Sequence, residues 1–159
     1  MSDVATGIVH RLCTFRVGDA CFAVPADAVV EVLRGGRLTR VPLAPAGVLG
    51  LVHLRGRIVP VVDPATLLGI ERDSAERPTH LVIALDEDWY GLVIDEMLDV
   101  IDIFGDEVQQ AAAPDAAGAP LVGVFAAPGR LVHLLDPQRM IHSLVRRQAA
   151  GIREAGSSP

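Results

Sequence analysis

The chain has 159 residues, half of them hydrophobic but only 4% aromatic, and a formal net charge of −6. That suits one ordinary domain, or two very small halves, with a core of Val, Leu, Ile and Ala; it disfavours nucleic acid and anionic membrane surfaces as partners. All 14 Lys/Arg-type cations are Arg, and the lack of Lys removes phosphate-loop, Schiff-base and kinase-type lysines.

In chain order, Val9 to Val17 reads as a strand, Gly18-Asp19 as a turn, and Cys21 to Val24 as the returning strand of a hairpin. Pro25-Ala26-Asp27 starts a short helical turn, Val29 to Leu33 is apolar and β-branched, and Gly35-Gly36 breaks it. A proline-rich loop around Val41-Pro42 and Pro45-Ala46-Gly47 leads to Leu51–Leu54, an Arg55-Gly56 turn and the strand Ile58–Val62. Asp63-Pro64 has the form of a helix start, Asp as N-cap and Pro at the first helical position, with the helix ending at Gly69. Arg72 to Thr79 is a polar connector. His80–Leu85 and Trp89–Ile94 form a second hairpin around Asp86-Glu87-Asp88. Gln109 to Pro120 is rich in Ala, Pro and Gly and is expected to be a mobile loop. Asp136-Pro137 starts a last helix reaching about Ala150, and residues 149–159 are expected to be a flexible tail. Many short strands, regular turns and few helices predict a mainly β protein of small barrels or sandwiches.

The chain repeats itself. GLVHLRGRIVPVVDPATLLG (Gly50–Gly69) aligns without a gap on GVFAAPGRLVHLLDPQRMIH (Gly123–His142), with six of twenty positions identical and an offset of 73. FAVPADAVVEVL (Phe22–Leu33) aligns on YGLVIDEMLDVI (Tyr90–Ile101) at an offset of 68. One structural unit is therefore built twice, over about 9–70 and 80–142, and the junction between two such units is a common place to bind a partner.

Few residues suggest chemistry. Asp63 and Asp136, one per copy, raise an acid dyad, but neither is followed two residues later by the Gly that such a dyad needs, and helix capping explains both. His10, His53, His80, His133 and His142 are scattered, none paired at metal-ligand spacing. There is no Gly-x-Ser-x-Gly elbow, and Asp95, Glu96, Asp99 and Asp102 lack calcium-loop spacing. Cys13 and Cys21 read as reduced small hydrophobes, and the absence of a secretory leader points to the cytoplasm. Glu31 and Arg55 stand apart. An acid recurs at Glu31 and Asp99, whereas Arg55 faces Pro128 in the other copy, so the repeated fold does not require Arg there. These two are expected to form a charge-assisted pair beside the groove between the units.

Four blocks, VVEVLRGGRLTRVP, GVLGLVHLRGRIVPVVD, GLVIDEMLDVI and GVFAAPGRLVHLLD, resemble the CheW-like domain in order and spacing, from about Ile8 to Val145. The resemblance implies two SH3-like five-stranded β-barrels with short helices and a C-terminal helix, as a domain over 8–148. It implies a non-catalytic adaptor without cofactor or metal. Its partners would be the cytoplasmic tip of methyl-accepting chemoreceptors and the regulatory domain of the histidine kinase CheA, which resembles the adaptor and can alternate with it in rings. It would be cytoplasmic, recruited to receptor arrays at the membrane without inserting. The alternative is a paralogue scaffolding a non-flagellar pathway, such as twitching motility or second-messenger output. Val29, Glu31, Gly50 and Arg55 match positions tied to receptor binding or its support. The family often has Asn where this chain has His53 and an apolar residue where it has Pro64; His53 is expected to influence partner preference. Within 159 residues there is no room for kinase domains or a receiver, so a stand-alone adaptor is expected.

Overall fold

The computed structural model describes residues 9–71, 79–110 and 120–144. The first copy contains β1 (Val9–Val17), β2 (Ala20–Pro25), a 3-10 turn (Ala26–Ala28), β3 (Val29–Arg34), β4 (Val48–Leu54), β5 (Arg57–Val62) and α1 (Pro64–Leu68). The second contains β6 (Thr79–Leu85), β7 (Asp88–Ile94), β8 (Glu96–Phe104), a 3-10 turn (Gly105–Glu107), β9 (Gln109–Gln110), β10 (Leu121–Ala127) and β11 (Arg130–Leu135). Residues 137–144 are helical. The protein is mainly β, as its patterning predicts. Most of the polar connector, most of the Ala/Pro/Gly-rich loop, the last helix past 144 and the tail 149–159 lie outside the described residues. The loop's first two residues are strand, because Gln109 and Gln110 pair with Val124 and Gly123.

One sheet runs β8-β1-β2-β11-β10-β9 and the other β3-β6-β7-β5-β4. Each takes a hairpin from one copy and its remaining strands from the other. The division expected from the sequence, 9–70 and 80–142, is therefore not the division of the sheets: β1 and β2 join β8–β11, while β6 and β7 join β3–β5. The reason lies after each hairpin. Pro25 and the 3-10 turn carry the chain out of its own sheet, and β3 then pairs antiparallel with β6 of the other copy. The equivalent strand, β8, pairs with β1.

Register preserves the duplication residue by residue. The parallel pair Val61↔Gly91 in one sheet is Leu134↔Ala23 in the other, which are the same positions at offsets of 73 and 68. Irregular register falls between Val48 and Gly50 in one copy and between Leu121 and Gly123 in the other, again 73 residues apart. Both glycines serve close crossing: a Cβ on Gly50 would sit 2.3 Å from the Thr39 carbonyl oxygen, and one on Gly123 would sit 2.9 Å from that of Gln109. No ladder joins the edge strands β3 and β4. Instead the chain leaving β3 crosses to β4, where Thr39 and Leu51 exchange two backbone hydrogen bonds of 2.8 Å. The β9–β10 pairing is its counterpart.

Three apolar clusters result. Leu12, Ala23, Ile103, Phe125 and Val132 pack together on the first sheet, and Val52, Val59, Val61, Val82 and Val93 on the second. The third and largest is shared: Phe15, Phe22 and Val24 of the first sheet meet Leu81, Ile83, Leu92 and Ile94 of the second, with Met140, Ile141 and Leu144 of the last helix. Burial of the apolar sheet faces holds the two sheets together, at about 25 cal/mol per Å² of apolar surface removed from water.

The duplicated aspartates are caps. Asp63 accepts from the Ala65 N–H at 3.0 Å, with Pro64 opening α1 and Gly69 closing it at φ 69°. Asp136 accepts from the N–H groups of Gln138 and Arg139. Each carboxylate begins its own helix, which is the structural reading of the pair rather than the catalytic one. Cys13 and Cys21 are free thiols, and burial pushes the Cys13 thiol pKa up.

Candidate functional site

The five residues singled out in the sequence all lie on the second sheet. Val29 and Glu31 are on β3, Gly50 and His53 on β4, and Arg55 in the β4–β5 turn. Since β3 and β4 are opposite edges, Glu31 and Arg55 meet only because the sheet curls on itself. Val29 packs against the core shared by both sheets, so β3 begins at the junction of the two units. Gly50 is buried against the crossing strand, whereas His53 is exposed.

Arg55 Nη2 stands 3.0 Å from Glu31 Oε1, the pair expected from the sequence. The Arg side chain is 65% exposed and the Glu side chain 24%. Glu31 Oε1 is itself buried, and the contact is an ion pair without hydrogen-bond alignment. Arg55 holds φ at +52° and Gly56 at +78°. A left-handed conformation costs a non-Gly residue about 1–2 kcal/mol. The other copy avoids this cost: Pro128 precedes Gly129 there, and Pro fixes φ near −65°. The turn thus closes without Arg, and Arg55 occupies a strained backbone that the fold does not demand.

The equivalent seam on the first sheet uses different residues. Asp99, the counterpart of Glu31, accepts from Thr14 Oγ1 at 2.8 Å and from Arg130 Nη2 at 2.7 Å. The Thr14 hydroxyl first, then Arg130, hold the Asp99 carboxyl below the usual carboxylate range. Arg57, identical to Arg130 in the repeat, does not pair with Glu31. Its guanidinium lies 4.3 Å from the centre of the Trp89 ring, and it donates to the Glu87 carbonyl at 2.7 Å. Sequence reasoning missed this exchange, because identity at 57 and 130 suggests identical partners.

Exposed apolar side chains also follow the repeat. Ile58 on β5 is 63% exposed and Leu131 on β11 is 64% exposed, at an offset of 73. Val32 and Val100, at an offset of 68, are exposed too. Repeat-related apolar side chains therefore face outward on both sheets. Ile58 adjoins Pro60, Trp89, Tyr90 and Arg57 around a shallow depression. Ile58 and Leu131 both sit at the outward position beside a buried valine, Val59 or Val132, and are apolar where alternation favours a polar residue.

Residues 11–145 match the family model of the CheW-like domain. The chain belongs to the CheW-like domain family. It is 33% identical over 146 residues to the chemotaxis protein CheW of Rhizobium meliloti, covering 88% of this chain and 92% of that one. It is 31% identical over 140 residues to protein FrzA of Myxococcus xanthus, covering 86% and 88%. The fold matches the crystal structure of scaffolding protein TtCheW from Thermoanaerobacter tengcongensis with a TM-score of 0.72 at 21% identity, over 80% of this chain and 89% of that one. Among the described residues no helix is long and apolar enough to cross a membrane.

Proposed function

We propose that this protein is a non-catalytic adaptor of chemotaxis signal transduction, holding chemoreceptor tips and the regulatory domain of the histidine kinase CheA in one assembly. It would work in the cytoplasm, drawn to receptor arrays. The observation that carries this reading is the Arg55–Glu31 pair. Its Arg is absent from the other copy, strained in backbone and mostly exposed, which suits recognition better than folding. We assign Glu31, Arg55 and His53 to receptor contact, with Val29 and Gly50 as support beneath them. The outward apolar residues Ile58 and Leu131 supply docking surfaces for the kinase domain. Where two surfaces of one chain each engage a partner head to tail, the contacts propagate into rings or filaments.

The test is a pull-down with a receptor-tip fragment and, separately, the CheA regulatory domain. Arg55→Ala should weaken receptor capture by tenfold or more, since truncating a desolvated interface Arg costs about 2 kcal/mol or more. Its melting temperature should change little, because a partly exposed ion pair contributes about 0–1 kcal/mol. Unchanged receptor capture would remove Arg55 from the site. The similarity to FrzA favours a second reading, a paralogue with the same fold serving another set of receptors. Capture by receptors of one pathway and not another separates the two.

A further inference from the structure

The second sheet carries a pocket. Leu33, Gly35, Gly36, Arg37, Thr39, Val52, His53 and His80 surround a space of about 270 Å³. In β3–β6 pairing Leu33 faces His80, and in β8–β1 pairing Ile101 faces Leu12. His80 therefore replaces Leu12, and continuing the same alignment puts Gly35 where the first sheet has Ile103. Leu12 and Ile103 are 3% and 6% exposed and belong to one apolar cluster. On the second sheet the same two places hold an imidazole and no side chain, and the space stays open.

The polar side chains around it can all donate a hydrogen bond, and one of them is a cation. His80 is 1% exposed, and its Nδ1 has no hydrogen-bond partner. Burial pushes the His80 pKa down, and the unpartnered Nδ1 can donate to a ligand when it carries the ring proton. Arg37 and His53, both exposed, and the Thr39 hydroxyl complete the polar lining, with no carboxylate among the lining residues. Gly35 and Gly36 hold φ at +72° and +115°, and a Cβ on either would meet nothing within 4 Å, so the rim is open.

We propose that this pocket binds a carboxylate, held by Arg37 at the rim, His53 beside it and His80 at the floor. The space admits one acidic side chain or a small free acid, below the usual range for drug-sized ligands of about 300–1,000 Å³. The binding is a property of the isolated protein and does not rest on the adaptor reading.

The experiment follows backbone amide and histidine ring signals of the full chain by NMR during titration with sodium malonate, with N-acetylglutamate amide, and with sodium chloride as control. Saturable shifts at Gly35, Gly36 and the His80 ring with a carboxylate, and not with chloride, are expected. His80→Leu restores the residue found in the other copy and should keep the fold while weakening binding at least tenfold at Gly35 and Gly36. Arg37→Gln should do the same. Comparable affinity for the glutamate side chain assigns the site to a partner's acidic residue; binding of malonate alone assigns it to a free acid. Absence of saturable shifts, or equal shifts in both variants, overturns the proposal.

Discussion

Gly50→Ala tests whether the crossing of β3's continuation over β4 sustains the second sheet. A Cβ at Gly50 would lie 2.3 Å from the Thr39 oxygen, 2.9 Å from its carbonyl carbon and 3.2 Å from the Arg40 Cα, all backbone atoms. No rotamer change relieves such contacts, so the crossing segment must shift by roughly 1 Å to reach ordinary contact distance. That shift breaks the two Thr39–Leu51 hydrogen bonds, each 2.8 Å long. Two bonds at about 0.5–1.5 kcal/mol each and overpacking at about 1–3 kcal/mol give an expected loss of about 2–6 kcal/mol, and Ala at the Gly50 φ of +156° adds backbone strain. For a chain of this size, a melting temperature lower by about 4–24 °C follows. Gly56→Ala is the control: it meets nothing within 4 Å, and only its φ of +78° is unfavourable. Thermal and urea unfolding of both variants, monitored by circular dichroism, give the answer. If Gly50→Ala melts within about 2 °C of the unaltered protein, the crossing carries little stability and the support assigned to Gly50 is wrong.

Other outcomes follow from the same geometry. His80→Leu should raise stability by about 1–3 kcal/mol, the cost of an unsatisfied buried polar group, and flatten its acid dependence. His80's folded pKa is lowered, so the unfolded chain binds the proton more readily and stability falls as pH drops below about 6.5, levelling off beneath the folded pKa; urea midpoints at pH 7.5 and 5.5 check both statements, and an unchanged pH slope contradicts them. Asp99→Asn should remove stability that is present above the unfolded carboxylate pKa of about 3.9 and lost as pH falls through the lowered folded value, so variant and parent should converge in acid. Ile58→Glu and Leu131→Glu should each reduce capture of the kinase regulatory domain with stability changed by less than about 0.5 kcal/mol, since both side chains are exposed; full capture by the double variant would dismiss these surfaces.

The duplication, the hairpins, both helix caps and the Glu31–Arg55 contact were legible in the sequence because each rests on short-range pattern or on comparison between copies. The offsets even reproduce the parallel register of Val61 with Gly91 and Leu134 with Ala23. Which sheet a hairpin joins was not legible. Residues Cys21 to Val24 read as a strand wherever they pair, and the partner strand β11 begins at Arg130, more than a hundred positions away. The pocket was missed for a related reason. His53 and His80 are scattered in the chain, and they share a wall only once β3 has paired with β6 and its continuation has crossed to β4. One signal was available: the 68-residue offset sets His80 against Leu12, a polar ring at a position where the other copy has a core aliphatic.

The two copies thus act as internal controls for each other. What they share, such as the caps, the irregular register beside Gly50 and Gly123, and the parallel pair, is what the fold needs to close twice. Sharing a residue does not mean sharing a role, as Arg57 and Arg130 demonstrate. On the first sheet Arg130 reaches Asp99 from within strand β11, and there the cation is 27% exposed and the carboxylate side chain 57%. On the second sheet Arg57 leans on Trp89, and Glu31 is left to a guanidinium from the turn. Moving the cation from strand to turn raises its exposure to 65% and costs backbone strain, with no gain to folding that the first sheet does not obtain more cheaply. A partner that covers Arg55 would remove water from a cation already anchored to a half-buried anion. Such a preoriented Arg loses less side-chain freedom on binding than a free one. That is the physical case for placing recognition on the second sheet's seam, where the chain departs from its own repeat.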